Sequence, residues 1–263
     1  MDLGLAGKTA IVTGASRGIG FATAQRLAAE GAAVGICGRD AARLDAAVDR
    51  LRQAGAKAIG VVADTTKPEA REDFVSKVAE ALGPPQILVN NAGTHVRATV
   101  DDMTDEQLRR QLEDKVFGFF GMIRAVLPHM RRRGGGRIVN VIGQAVRHPH
   151  PDRLPSGITN AAAQAMSKAV ADAVARENIR VNTVCPQYVE TEIISAMIAK
   201  EMRERGVTRE EGAAGFTRAN VLGRLGQPDE IADLIAFMVS DRADFVTGSS
   251  VSIDGGYARY VFG

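Results

Sequence analysis

Three glycines stand at Gly-x-x-x-Gly-x-Gly spacing in Thr13-Gly14-Ala15-Ser16-Arg17-Gly18-Ile19-Gly20. An apolar run, Thr9 to Thr13, leads straight into Gly14, and a helix-period stretch begins near Gly18. Glycine is needed where backbone approaches a pyrophosphate and where a helix and a strand pack closely. The N-terminus of the helix that follows offers free N–H groups and a positive dipole end to phosphate oxygens. The chemistry implied is dinucleotide binding through Gly14, Ser16, Arg17, Gly18, Ile19 and Gly20. A plain tight turn is the bland alternative; the order strand, turn, helix favours the binding turn.

A second group of reactive residues lies far along the chain. The loop Gln144-Ala145-Val146-Arg147-His148-Pro149-His150-Pro151-Asp152-Arg153 carries two of the four histidines. His95, Arg97 and Lys115 fall in segments expected to border the same site. Three readings are open: a solvated loop stiffened by proline, a basic pocket for an anionic substrate, or a metal pair from His148 and His150. The metal reading lacks a third ligand at recognisable spacing. Arg131-Arg132-Arg133 before Gly134-Gly135-Gly136 reads as the end of a helix, where cations suit the dipole and glycine closes the turn. Nucleic-acid binding is not expected from it.

The elements that must position these groups alternate in type. Strand-like apolar runs occur at Thr9 to Thr13, Ala33 to Cys37, Ala58 to Val62, Ile87 to Val89, Arg137 to Ile142, Arg180 to Val184 and Ser250 to Ile253. Amphipathic stretches of crossover length separate most of them. One opens at Thr104, where Thr104 and Gln107 have capping-box spacing. Another spans Ala161 to Val174, with an apolar stripe of Ala162, Ala165, Met166, Ala169, Val170, Ala173 and Val174. Repeated β-α-β units with strands apolar on both faces predict a doubly wound parallel α/β sheet. No linker or repeat divides residues 1–263, which read as one Rossmann-type domain. A charged helical stretch at about 190–220 interrupts the rhythm and reads as a lid.

The bulk numbers narrow the function classes. A net charge of +2 is too small to argue for nucleic acid or a membrane surface. Cys37 and Cys185 are the only cysteines and each sits in an apolar run, so a reducing compartment is expected rather than a disulfide framework. The first residues lack the basic head and apolar run of a signal peptide, and no apolar stretch is long enough for a membrane helix. A cytoplasmic location is expected.

Over nearly its whole length the chain resembles the short-chain dehydrogenase/reductase family. The residues that carry the resemblance are the glycine turn, Asp64, Asn90-Asn91-Ala92-Gly93, Arg180-Val181-Asn182 with Pro186, Gly223-Arg224-Leu225-Gly226-Gln227-Pro228-Asp229-Glu230-Ile231-Ala232, and Thr247-Gly248 followed by Asp254-Gly255-Gly256. The resemblance implies a seven-stranded parallel sheet, a nicotinamide cofactor and a homo-oligomer, usually a tetramer, otherwise a dimer. It also implies cofactor contacts from Asp64, Thr65, Asn91, Ala92, Gly93, Lys168, Val189 and Thr191.

The second strand ends in Ile36-Cys37-Gly38-Arg39-Asp40. An acid at that strand end would bond the ribose 2′-hydroxyl of NAD; the position is Gly38, followed by Arg39. A guanidinium there can pair with the 2′-phosphate of NADP, and Arg17 can add a second charge. NADP is therefore expected over NAD, unless Asp40 turns toward the ribose.

In the family, hydride transfer between nicotinamide and a carbonyl or alcohol uses a tyrosine, a lysine four residues later, a serine after the fifth strand and an asparagine on a neighbouring helix. Here Lys168 is read as the lysine, which puts Gln164 at the tyrosine, Gly143 at the serine and Lys115 at the asparagine. An amide cannot supply a proton. Nearby hydroxyls are Ser156, Thr159 and Ser167, and the only tyrosines are Tyr188, Tyr257 and Tyr260. Two readings follow. The protein is an oxidoreductase acting on a small molecule through another acid, with Tyr188 the best placed and Lys115 or a loop histidine the alternatives. Or it binds NADP and catalyses little, as a sensor, partner subunit or binding module.

Overall fold

The computed structural model describes residues 1–94 and 96–259. Its elements alternate as the apolar runs require: β1 (Thr9–Val12), α1 (Gly18–Ala29), β2 (Ala33–Gly38), α2 (Ala41–Gln53), β3 (Ala58–Val62), α3 (Pro68–Leu82) and β4 (Ile87–Asn90). The second half continues with α4 (Asp105–Leu112), α5 (Gly118–Arg132), β5 (Gly136–Val141), α6 (Leu154–Val174), β6 (Ile179–Pro186), α7 (Glu192–Arg205), α8 (Arg209–Thr217), α9 (Pro228–Met238) and β7 (Ser250–Ile253). The described strands form one parallel seven-stranded sheet in the order β3-β2-β1-β4-β5-β6-β7. Strand order reverses between β1 and β4. Such a switch point leaves a crevice at the carboxyl ends of the strands, where this architecture binds ligands.

Each strand carries apolar side chains on both faces, because helices cover both. On one face α1, α2 and α9 bury Leu27, Leu44, Val48, Leu51, Ile231 and Ile235 against Ala10 and Val12. On the other, α3, α5 and α6 bury Phe74, Val78, Met122, Ile123, Val126, Ala171 and Val174 against Ile11, Leu88 and Ile138. The capping box expected at the start of α4 is present: Gln107 N donates to Thr104 Oγ1 at 3.2 Å, and Thr104 N donates to Gln107 Oε1 at 2.9 Å. The Arg131-Arg132-Arg133 run closes α5, and Arg131 grips Glu177 through two bonds of 2.6 and 3.0 Å.

Helix α6 departs from expectation in both start and face. It begins at Leu154, seven residues before Ala161, with Pro155 in its first turn. Proline suits that turn because the first N–H groups have no helical acceptor. The buried side is Thr159, Asn160, Ala163, Ser167, Ala171 and Val174; Ala165, Ala169 and Ala173 of the predicted stripe face outward. Polar side chains can take the inner face because they are bonded there. Asn90 Nδ2 donates to Asn140 Oδ1 at 2.9 Å, Asn140 Nδ2 to Ser167 Oγ at 2.8 Å, and Ser167 Oγ to Ala163 O at 2.6 Å.

The stretch at 190–220 forms α7 and α8, which pack Ile198 and Phe216 with Leu225 and Tyr188. No described helix is long and apolar enough to cross a membrane.

Glycine in the middle of β2 is a packing requirement. A Cβ added at Gly35 would overlap both methyls of Val78 on α3. Gly35→Ala should destabilise the fold by about 1–3 kcal/mol in denaturant titration. Adding Val78→Ala should return part of that loss, and strict additivity of the two changes would refute the contact.

Candidate active site

The glycine turn is built by its neighbours as much as by its glycines. Thr13 Oγ1 accepts from the N–H groups of Asn91 and Ala92, each at 3.0 Å. In return Asn91 Nδ2 donates to Thr13 O at 3.2 Å and Gly14 O at 3.0 Å. This exchange clamps the end of β1 to the end of β4. It also explains two glycines. Gly14 has φ +61, and a Cβ there would come within 2.7 Å of Ala92 Cα. A Cβ at Gly20 would strike Asn91 Nδ2 and Gly14 O.

Helix α1 opens without a side-chain cap and with no acidic residue in its first turn. Its leading N–H groups therefore have no side-chain acceptor, which suits a phosphate. They face a cleft of about 370 Å³. Of the residues expected to hold a cofactor, Gly14, Ser16, Arg17, Gly18, Ile19, Arg39, Asp64, Thr65, Asn91, Ala92, Gly93 and Thr191 line it. Gly20 and Val189 lie behind it as packing residues, both buried. The cleft is wide enough at one end for Gly38, Arg39 and Arg43 to share its wall with Asp64.

The charges around this cleft are already arranged. Asp40 caps α2, with Oδ1 accepting from Arg43 N at 3.1 Å and Oδ2 paired with Arg43 Nε at 3.3 Å. It is committed to the helix, not to a ribose. Arg39 is exposed at the cleft wall. Burial opposes ionisation of Asp64. Bonds from the Thr66 N–H and hydroxyl, helped by Arg39 and Lys67, nonetheless hold its carboxyl below the usual range. Arg17 reaches across the cleft mouth to Glu192 at the start of α7.

Beyond the cleft floor the expected catalytic positions separate. Lys115 sits in a wide π-helical turn, Glu113–Phe117, that joins α4 to α5. Such turns insert a residue into a helix and recur at functional sites. Lys115 Nζ donates to Asn160 Oδ1 at 2.8 Å, and Asn160 Nδ2 donates to Gly143 O at 3.0 Å. The lysine stem passes beneath Gly93: a Cβ on Gly93 would stand 3.6 Å from Lys115 Cε. Lys115 and Gly143 are thus joined, behind the cleft wall at Gly93, through an asparagine that the sequence reading overlooked.

Lys168 and Gln164 do not join them. Lys168 is exposed, pairs with Asp172 and lies against Gly248. Gln164 Oε1 accepts from Thr183 Oγ1 at 2.7 Å, in the middle of β6. The reason is helix length. Lys168 is eight residues past Asn160, about 12 Å along the axis at the α-helical rise. Reading the helix from Ala161 made Lys168 the only cation in view. The residues of α6 at the carboxyl ends of the strands are Ser156 and Asn160, four apart on one face. The proline at position 155 was the available signal for the earlier start.

Tyr188 has φ +48, in the left-handed region that non-glycine residues seldom occupy. Its hydroxyl accepts from Arg153 Nη2 at 2.8 Å, and its ring meets Phe216 and Tyr257 edge-on. It does not line the cofactor cleft. The charges of the basic loop are largely paired, by Asp152 and by β7. Arg97, His150 and Arg153 gather on Asp152, while Arg147 donates to Ser252 Oγ at 2.7 Å and Ser250 O at 2.8 Å. His148 rests edge-on against Tyr257. His95 and Tyr260 lie outside the described residues.

Known proteins share this architecture throughout. A sequence model of a family described as enoyl-(acyl carrier protein) reductase matches residues 14–258. Gluconate 5-dehydrogenase of Gluconobacter oxydans is 34% identical, over 96% of this chain and 95% of its own. Human dehydrogenase/reductase SDR family member 4 is also 34% identical, over 96% of this chain and 88% of its own. The crystal structure of L-sorbose reductase from Gluconobacter frateurii, complexed with NADPH and L-sorbose, superposes with a TM-score of 0.96 at 31% identity, covering 99% of this chain and 100% of that one. By sequence and by fold alike, this chain belongs to the short-chain dehydrogenase/reductase family of oxidoreductases.

Proposed function

We propose that the protein is an NADP(H)-dependent oxidoreductase that interconverts a carbonyl and an alcohol on a small molecule, at a site without the family's tyrosine, serine and asparagine. The observation that carries this reading is the cleft itself: an uncapped helix N-terminus, a backbone turn open to phosphate and an exposed Arg39 share one wall. When bound, the nicotinamide supplies or accepts the hydride. The protein's part is to hold the dinucleotide across the switch point and to deliver a proton to, or take one from, the substrate oxygen.

NADP is favoured over NAD by three residues together. Gly38 offers no carboxylate to a ribose hydroxyl, Arg39 is exposed beside it, and Asp40 is spent on capping α2. The similar sorbose reductase was crystallised with NADPH, which supports the same choice. The stretch at 190–220 acts as a lid, with the Arg17–Glu192 pair closing over the phosphate end. Outward-facing Ala165, Ala169 and Ala173 on α6, with exposed Phe117 and Phe120 at the start of α5, support a homo-oligomer. Unpaired, buried Cys37 and Cys185 suit a cytoplasmic setting.

A second reading, NADP binding with little turnover, draws on one observation. Gly143 is joined through Asn160 to Lys115, and none of the three matches the residue the family pattern calls for.

These readings make distinct predictions. Arg39→Ala should weaken NADP⁺ binding about ten- to a hundredfold, the worth of a charge-assisted bond, and leave NAD⁺ nearly unchanged. Calorimetry with both cofactors decides; an equal loss for both removes Arg39 from selectivity. The wild-type protein should oxidise NADPH with at least one member of a carbonyl panel. Tight NADPH binding with no turnover across the panel supports the sensor reading instead. Sedimentation should report a dimer or tetramer at micromolar concentration, and a monomer would exclude the oligomer.

A further inference from the structure

A proton donor for this chemistry must border the cleft, hold a fixed direction and change charge near neutral pH. Most ionisable groups at the cleft or close behind its wall fail one condition. Asp40 is bound to Arg43, and Asp64 is held ionised by Thr66 and Arg39. Asp114 is engaged by the Thr94 hydroxyl. Burial pushes the Cys37 thiol up to about 12 and raises that of Cys185. The Tyr188 hydroxyl is turned toward Arg153.

Lys115 meets all three. Its stem lies directly behind the cleft wall: Lys115 Cε is 3.6 Å from where a Cβ on the wall residue Gly93 would stand. Its direction is set by a buried amide that is used at both ends. Asn160 Oδ1 accepts a hydrogen bond from the ammonium at 2.8 Å while Asn160 Nδ2 donates to Gly143 O at 3.0 Å. Gly143 belongs to the same device, since a Cβ there would press on Asn160 Nδ2 at 3.2 Å. The groups that face the amine from the packed elements are Cys185 of β6 and Asp114 of its own turn. Loss of hydration outweighs both and lowers the Lys115 pKa to about 8.

We propose that Lys115 is the acid–base residue of this protein, with Asn160 as the residue that positions it; the inference rests on the oxidoreductase reading above. As hydride reaches the carbonyl carbon, the C=O π pair moves onto oxygen and takes a proton from Nζ. One N–H bond breaks and one O–H bond forms. The amine is left neutral and regains a proton from solvent. In the oxidising direction the neutral amine accepts the alcohol proton.

Competitive acetylation of the amines across pH, read by peptide mass spectrometry on the apoprotein, tests the amine without any turnover. Lys115 should titrate near 8, while exposed lysines titrate at about 10.4. Asn160→Asp sets a carboxylate against the ammonium and should raise that titration by about a unit or more. The kcat/KM profile should move with it. Lys115→Met and Lys115→Arg should bind NADPH like wild type and lose about 10²- to 10⁴-fold in kcat/KM, because arginine keeps the charge but holds its proton. Titration of Lys115 with the exposed lysines overturns the proposal. So does undiminished turnover in either variant, or loss of NADPH binding in both, which would make Lys115 a cofactor anchor. Should Lys115→Met not fold, Lys115→Arg and Asn160→Asp still decide. A wild-type protein that turns over nothing fails the oxidoreductase reading, whereas active wild type with an active Lys115→Arg fails only this inference.

Discussion

Helix α6 is held on the sheet by side-chain amides as well as by apolar contact. The chain from Asn90 through Asn140 and Ser167 to Ala163 O crosses β4, β5 and α6, and each of those side chains is buried. Leaving any one of these groups unpaired costs about 1–3 kcal/mol, so the helix has one register rather than several. That register puts Asn160 at the carboxyl end of β5 and leaves Lys168 exposed beside Gly248. The identity of the residues at the candidate site follows from this one placement.

The cofactor half of the site depends on a different kind of bond. Thr13 and Asn91 exchange hydrogen bonds between the ends of β1 and β4, where the sheet reverses its order. They fix the turn so that the first N–H groups of α1 face the cleft. The residues responsible lie 78 positions apart, but each belongs to one contiguous segment, a turn after one strand and a short run after another. They serve a demand that any dinucleotide makes on backbone geometry. The proposed catalytic half draws on a π-helical turn, a strand end and a helix start, each from a different part of the chain. A cation reaches the site from the turn before α5, and an amide from α6 receives it. The loop of arginines and histidines beside them looks basic in sequence and is largely neutralised in space, because Asp152 and β7 supply its acceptors.

Strand positions were legible because a buried parallel strand must be apolar on both faces, and each of the seven runs became a strand within one or two residues of its expected ends. The glycine turn and Arg39 stood out because backbone conformation and charge at a strand end are local properties; Asp64 was implied by the family resemblance. Family membership was readable from motifs spread along the chain. The face of α6 was not, because small residues at helical spacing do not say which side meets the sheet. Ala165, Ala169 and Ala173 occupy the outer side, while Thr159, Asn160 and Ser167 share the inner one with Ala163 and Ala171. A hydrophobic pattern ranks side chains by transfer from water; it cannot see that Asn140 and Gly143 O wait to bond them. Tertiary structure alone decided which lysine stands beside Asn160 and Gly143, since a shift of eight residues along a helix moves a side chain by about 12 Å and leaves the local sequence pattern looking equally good.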